Sequence, residues 1–278
     1  MGKYFVIILT IGCIVILVYG QLYWKNINAS LSVEGKKVIE ERIIKQQAER
    51  EELVNSLKPE NNRSQSLIDF LRYKKLTENN VTVITLGSNI TAGIGANNAI
   101  TNWQDTLQRK IKLENADLET LKIINQGYEG YSTTDLITGG KLDLVINTKP
   151  DVIIFESMII TNYNRAISLE QTTQDLETIM STLLKEVENV KIIVTAPNPI
   201  INSENINRLG LNYQQYVEKL EEVVNKNNWT YFDSIAAFER KLKDSDILMV
   251  DILASDDIHL SYEGYLIWVE VLYEYLKG

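Results

Sequence analysis

The chain opens on an apolar stretch, residues 5–24, that carries no charge and is flanked by Lys3 and Lys25. About twenty residues at about 1.5 Å of rise each match the hydrocarbon thickness of a bilayer, so the segment predicts a membrane-spanning helix. Residues 33–57 then turn to Glu, Lys, Arg and Gln with scattered aliphatics and stop short of Pro59, the pattern of a solvated helical stalk. Its apolar positions, Val38, Ile39, Ile43, Ile44, Leu53 and Leu57, are spaced too unevenly for heptads. A second helix is expected over residues 64–77.

From residue 81 the pattern changes. Short continuous apolar runs at 81–86, 121–124, 152–155, 190–196 and, more weakly, 229–232 read as buried strands. Between them, residues 99–113, 169–187, 213–225 and 262–276 repeat apolar side chains every three or four positions, as amphipathic helices do. Alternation of this kind predicts an α/β domain, a parallel sheet with helices on both faces and functional residues on loops at the strands' C-terminal ends. The expected organisation is a transmembrane signal anchor over 1–28, a helical stalk over 29–63 and the α/β domain over 64–278.

Composition narrows the function. A net charge of −9 argues against nucleic acid or another polyanion as partner. The single cysteine, Cys13, lies inside the apolar segment, so the domain has no disulfide framework. Lipid attachment at Cys13 is disfavoured because Thr10-Ile11-Gly12 lacks the usual leucine and the following residues stay apolar. Val18-Tyr19-Gly20 makes a poor cleavage site, which favours an uncleaved anchor. Lys3 and the amino terminus bias the N-terminus to the cytoplasm, with the bulk of the chain outside. One histidine and one membrane cysteine leave only scattered carboxylates for a metal, and residues 87–95 lack the G-K-[ST] of a phosphate loop. Neither metal nor cofactor is expected.

The one imidazole, His259, is the sole candidate for a histidine general base. Asp256 precedes it by three positions, where on a tight turn its carboxylate can hold one ring nitrogen and fix the tautomer. The second chemical feature is Gly87-Ser88-Asn89-Ile90-Thr91-Ala92-Gly93, which follows the first strand and leads toward a helix. Such a turn lies above the C-terminal edge of a sheet, beside helix N–H groups that stabilise developing negative charge.

Together these segments resemble the SGNH, or GDSL-type, hydrolases. The first block of that family reads Gly-Asp-Ser-x-Thr with the serine as nucleophile, and its last reads Asp-x-x-His. Asn125-Gln126-Gly127-Tyr128-Glu129-Gly130-Tyr131-Ser132 resembles the second block, whose glycine N–H joins the oxyanion hole, and Gly130 is the match. A third block should place an asparagine after a buried strand as a second oxyanion donor; Asn162 is the candidate, with Asn164 behind it. The resemblance covers residues 81–278 and implies a three-layer, flavodoxin-like fold and ester hydrolysis without cofactor. The substrate it implies is a small acyl ester or carbohydrate ester, in a bacterial envelope O-acyl groups on carbohydrate or lipid esters.

One departure outweighs the matches. Ser88 stands where the family has aspartate, and Asn89 where it has the nucleophile. An amide has no ionisable proton to give up to His259, and its nitrogen is a poor nucleophile. The resemblance still implies a serine ester hydrolase, with Ser88 as nucleophile, His259 as base and Asp256 orienting it; the alternatives are that His259 activates water directly, or that the domain binds and scaffolds without turnover.

Overall fold

The five apolar runs become strands in the computed structural model, which describes residues 2–62, 64–78, 80–95 and 102–278, the side chains of 3–8, 30, 32 and 33 excepted. They are β1 (Thr82–Gly87), β2 (Lys122–Gly127), β3 (Val152–Glu156), β4 (Lys191–Thr195) and β5 (Thr230–Phe232). All pair in parallel, in the order β2-β1-β3-β4-β5. Every residue of β3 is buried, as is β1 beyond Thr82. Central parallel strands are covered on both faces, which is why they read as continuous rather than alternating apolar runs.

Helices fill the crossovers. α3 (Asn89–Ala92) and α4 (Trp103–Glu114) follow β1, α5 (Thr133–Thr138) and α6 (Lys141–Thr148) follow β2, and α7 (Ile159–Asn164) and α8 (Leu169–Glu186) follow β3. α9 (Tyr213–Asn227) follows β4; α10 (Ser234–Ser245) and α11 (Tyr262–Lys277) follow β5. α2 (Leu67–Glu78) precedes the sheet and packs with α11, which also meets α4 and α10. α8 meets α5, α6 and α9 instead. Right-handed crossovers produce this division, because the chain leaves β1 in one direction for β2 and then returns past β1 to β3. The reversal opens a crevice between the C-terminal ends of β1 and β3, the usual ligand position in such sheets.

Most expected elements appear with small shifts of boundary. β2 runs on to Gly127, so Asn125 and Gln126 belong to the strand rather than to the loop after it. The expected helix over 99–113 begins in residues outside the described set, and its described part is α4. α11 anchors the domain's C-terminus: Tyr265, Trp268 and Leu272 are buried, and Trp268 stands edge-on to Trp103 at 5.8 Å.

The chain divides into two units, 1–56 and 57–278. The first is made of α1 (Gly2–Leu57), one helix that runs through the expected boundary at residue 28. Lys37–Glu41 and Lys45–Glu49 pair along it at i,i+4 spacing in solvent. It stops before Lys58, whose conformation Pro59 restricts. The expected span over 5–24 lies in α1, though the side chains of 5–8 are outside the described set. Among the described residues no helix is long and apolar enough to cross a membrane. Residue 63, the expected start of the domain less one, is also outside the described set.

Candidate active site

β1 ends at Gly87, the chain bends at Ser88, and α3 carries Asn89 as its first residue. Space at this bend is tight. A Cβ on Gly87 would collide with Thr91 and Glu156, and one on Gly127 with the main chain of Thr91 and Ala92, so both glycines are required by close approach. Ser88 gives the helix no side-chain cap; its hydroxyl is buried against Thr161 Oγ1 at 2.8 Å. Instead Glu156, at the end of β3, accepts the Ser88 N–H at 2.7 Å and the Thr91 hydroxyl at 3.0 Å.

His259 lies on a loop closed by the bridge between Leu253 and Leu260, with Ala254 N–H donating to the His259 carbonyl at 2.7 Å. Asn198, buried after β4, braces the loop by donating to the Ile258 carbonyl at 2.9 Å. Asp256 accepts from His259 Nδ1 at 2.6 Å and from the backbone N–H groups of His259 and Ile258 at 2.9 and 3.0 Å. Burial opposes ionisation of Asp256, but these hydrogen bonds outweigh it and hold the carboxyl below its ordinary range.

Asn89 fills the space between this pair and Gly130. Gly130 N–H, 2.6 Å from Asn89 Oδ1, can only donate, so the amide oxygen must face it. The amide nitrogen therefore faces His259 Nε2, at 2.9 Å, and donates to it. Nε2 then carries the lone pair, and Nδ1 carries the proton given to Asp256. One carboxamide thus engages both the lone pair a serine would use and the N–H that would stabilise an oxyanion.

The structure brings Asn89, Asp256, His259 and Gly130 together and leaves two expected residues out. Ser88, the expected transferred nucleophile, points to Thr161 rather than to His259, because adjacent residues on the bend face opposite ways. Asn162, the expected oxyanion donor, is wholly buried in α7 and spends both amide hydrogens on the hydroxyls of Thr133 and Thr172, at 2.9 and 3.1 Å. Its oxygen accepts the Thr133 N–H, so it joins α7 to α5 and α8. Asn164 is exposed at the end of α7. β3 is followed directly by Ser157 and Met158, and Met158 takes a left-handed conformation, φ 59°, that suits asparagine better. Glu156 and Asn198 were not anticipated. The signal for Glu156 was an acid closing an otherwise apolar buried strand. Among the described residues no three His, Cys, Asp or Glu side chains stand together as a metal site would need.

Comparisons with known proteins agree with this fold. A lipase/acylhydrolase from Enterococcus faecalis superposes with a TM-score of 0.57 at 21% identity, covering 71% of this chain and 96% of that one. An acetylxylan esterase from Geobacillus stearothermophilus gives 0.56 at 19% identity, covering 71% and 94%. At these identities the likeness is one of fold. No curated protein matches the sequence. The model of the GDSL-like lipase/acylhydrolase family matches residues 85–267, about two thirds of the chain and all of the site, and the chain belongs to that family.

Proposed function

We propose that this protein is a membrane-anchored, extracytoplasmic member of the family that binds a small acyl ester without turning it over. The observation that carries the proposal is Asn89, whose amide occupies the base and the oxyanion donor together. Acyl transfer needs a group at that point that yields its proton and bonds to the acyl carbon. A carboxamide nitrogen, its lone pair delocalised, does neither. The likeness to an acetylxylan esterase supports a short acyl group on carbohydrate as ligand, with O-acylated envelope carbohydrate or a lipid ester as its source. The charge-free residues 5–24 support the anchor, which predicts that the full chain stays with membranes through alkaline carbonate extraction.

The retained Asp256–His259 pair favours a second reading, in which Asn89 swings aside and His259 Nε2 activates water. Sites lacking a nucleophile retain roughly a thousandfold or more over water in serine hydrolases. The full-length protein in detergent, offered short-chain activated esters and a fluorophosphonate probe, separates the two. The binding reading expects no labelling, no His259-dependent turnover, and both labelling and turnover in Asn89→Ser. Turnover by the native protein that disappears in His259→Ala would establish the second reading. A folded Asn89→Ser that neither labels nor turns over would refute the claim that the missing nucleophile alone silences the site.

A further inference from the structure

Glu156 is a buried acid outside the Asp256–His259–Gly130 constellation, and its carboxyl accepts three hydrogen bonds from the turn that presents position 89. α3 has four residues, too few to hold itself, and its first N–H groups have no partner within the helix. Its N-cap residue offers no cap, since the Ser88 hydroxyl is engaged by Thr161. Glu156 Oε2 supplies the acceptor from another strand, taking the Ser88 N–H at 2.7 Å, the Thr91 N–H at 3.3 Å and the Thr91 hydroxyl at 3.0 Å. The carboxyl approaches so closely that position 87 has no room for a Cβ. From the other side Tyr265 donates to the carbonyls of Ile90 and Ile94, at 3.3 and 2.8 Å.

We infer that Glu156 is a positioning residue: its carboxyl, delivered from β3, holds the 88–92 turn in the conformation that aims position 89 at His259. A buried carboxyl is retained at a cost, since burial pushes it up toward the neutral form while the hydrogen bonds from Ser88, Thr91 and Met158 act the other way. A side chain serving only to fill the end of β3 would be apolar, like the four residues before it. The inference rests on the Asn89–His259 contact of the site described above and is independent of whether the site turns over.

Because the chain has one histidine, ring-15N histidine labelling of the full-length protein in detergent reports on His259 alone. In the native protein the spectrum should show Nδ1 protonated and Nε2 accepting a hydrogen bond; Asn89→Ala gives the spectrum without the amide donor. Glu156→Gln, which keeps the shape but exchanges one carboxyl oxygen for an NH2 group that can only donate, should displace the Nε2 signal toward that of Asn89→Ala. Ile154→Val, which loosens packing in the same buried strand, should leave the signal in place. Thr91→Val removes one of the donors isosterically and should give a smaller displacement in the same direction, and it serves if Glu156→Gln fails to fold. Native signals in folded Glu156→Gln, native signals in Thr91→Val, or an equal displacement by Ile154→Val overturn the proposal. Turnover plays no part in this readout, so its failure is distinct from failure of Asn89→Ser to gain activity.

Discussion

Gly127→Ala offers a test in which two physical arguments predict opposite signs. Gly127 ends β2 in register with Gly87 and has no positive φ, so its backbone suits alanine. On backbone grounds alone alanine should stabilise by about 0.4–1 kcal/mol, because it restricts the unfolded chain. Packing reverses the sign. A Cβ there would lie within 3.0 Å of Ala92 N, Ala92 Cα and Thr91 C, all main-chain atoms of α3 that cannot rotate away. The helix would have to lift by about 1 Å, and overpacking of this kind costs about 1–3 kcal/mol. Lifting would also strain the Ala92 N–H to Ser88 carbonyl bond, now 2.8 Å, and carry Asn89 away from His259. The midpoints of the two ranges, about 2 and about 0.7 kcal/mol, leave a net loss of about 1.3 kcal/mol, read as a lower Tm at ~2–4 °C per kcal/mol for a domain of this size. Thermal unfolding followed by fluorescence measures it, since Trp103 and Trp268 are buried in the domain. An unchanged or raised Tm would refute the argument, showing that α3 yields freely and that its seat on β2 does not constrain position 89.

Asn162→Ala should cost about 1–3 kcal/mol in urea unfolding by stranding buried groups of Thr133 and Thr172, yet leave fluorophosphonate labelling of Asn89→Ser unchanged in rate; slowed labelling would restore Asn162 to the oxyanion site. Ser88→Ala should likewise leave that labelling intact while lowering stability, because the buried Thr161 hydroxyl loses its partner. Asp256 is held below its ordinary pKa, so its stabilisation is complete above the unfolded value of about 3.9 and disappears as pH falls through the lower folded value. The difference in Tm between native protein and Asp256→Asn should therefore shrink as pH is lowered from 5 toward 2.5; a constant difference would contradict the sign.

The layered fold was legible because its strongest signals were long: β1, β3 and β4 are apolar runs bounded by turns, and α8, α9 and α11 keep a helical period for four turns or so. Short helices carried no such period. α3, α5 and α7 have four to six residues, and tertiary contacts rather than propensity hold them. α10 was missed for another reason, since it follows β5 after one residue and its small Ala236 and Ala237 dilute the apolar stripe. At the site, Asp256 and His259 were readable because three positions on a tight turn suffice to bring carboxylate and imidazole together. Asn162 misled because sequence spacing does not reveal which way a side chain faces within a six-residue helix, and Glu156 showed only as an acid closing an apolar strand, because its partners lie 65 and 68 positions away.

Asparagine at position 89 fits its surroundings better than erosion of an abandoned site would require. Its oxygen meets a group that only donates and its nitrogen meets a lone pair, so one side chain satisfies two polar groups that would otherwise face each other across a gap. That fit sets a limit on restoration. Serine's hydroxyl is attached one bond closer to the main chain than the Asn89 amide nitrogen, which already stands 2.9 Å from Nε2. In Asn89→Ser the hydroxyl therefore falls short of the imidazole unless α3 moves inward, and Gly127 and Glu156 hold α3 where it is. A misplacement of about 1 Å costs roughly a hundredfold in rate, so the substitution should give measurable labelling and turnover about two orders below those of a fully seated serine. Turnover at the full rate of an ordinary esterase would mean that the turn adjusts without cost, and that the amide, not the geometry around it, was the whole of the block.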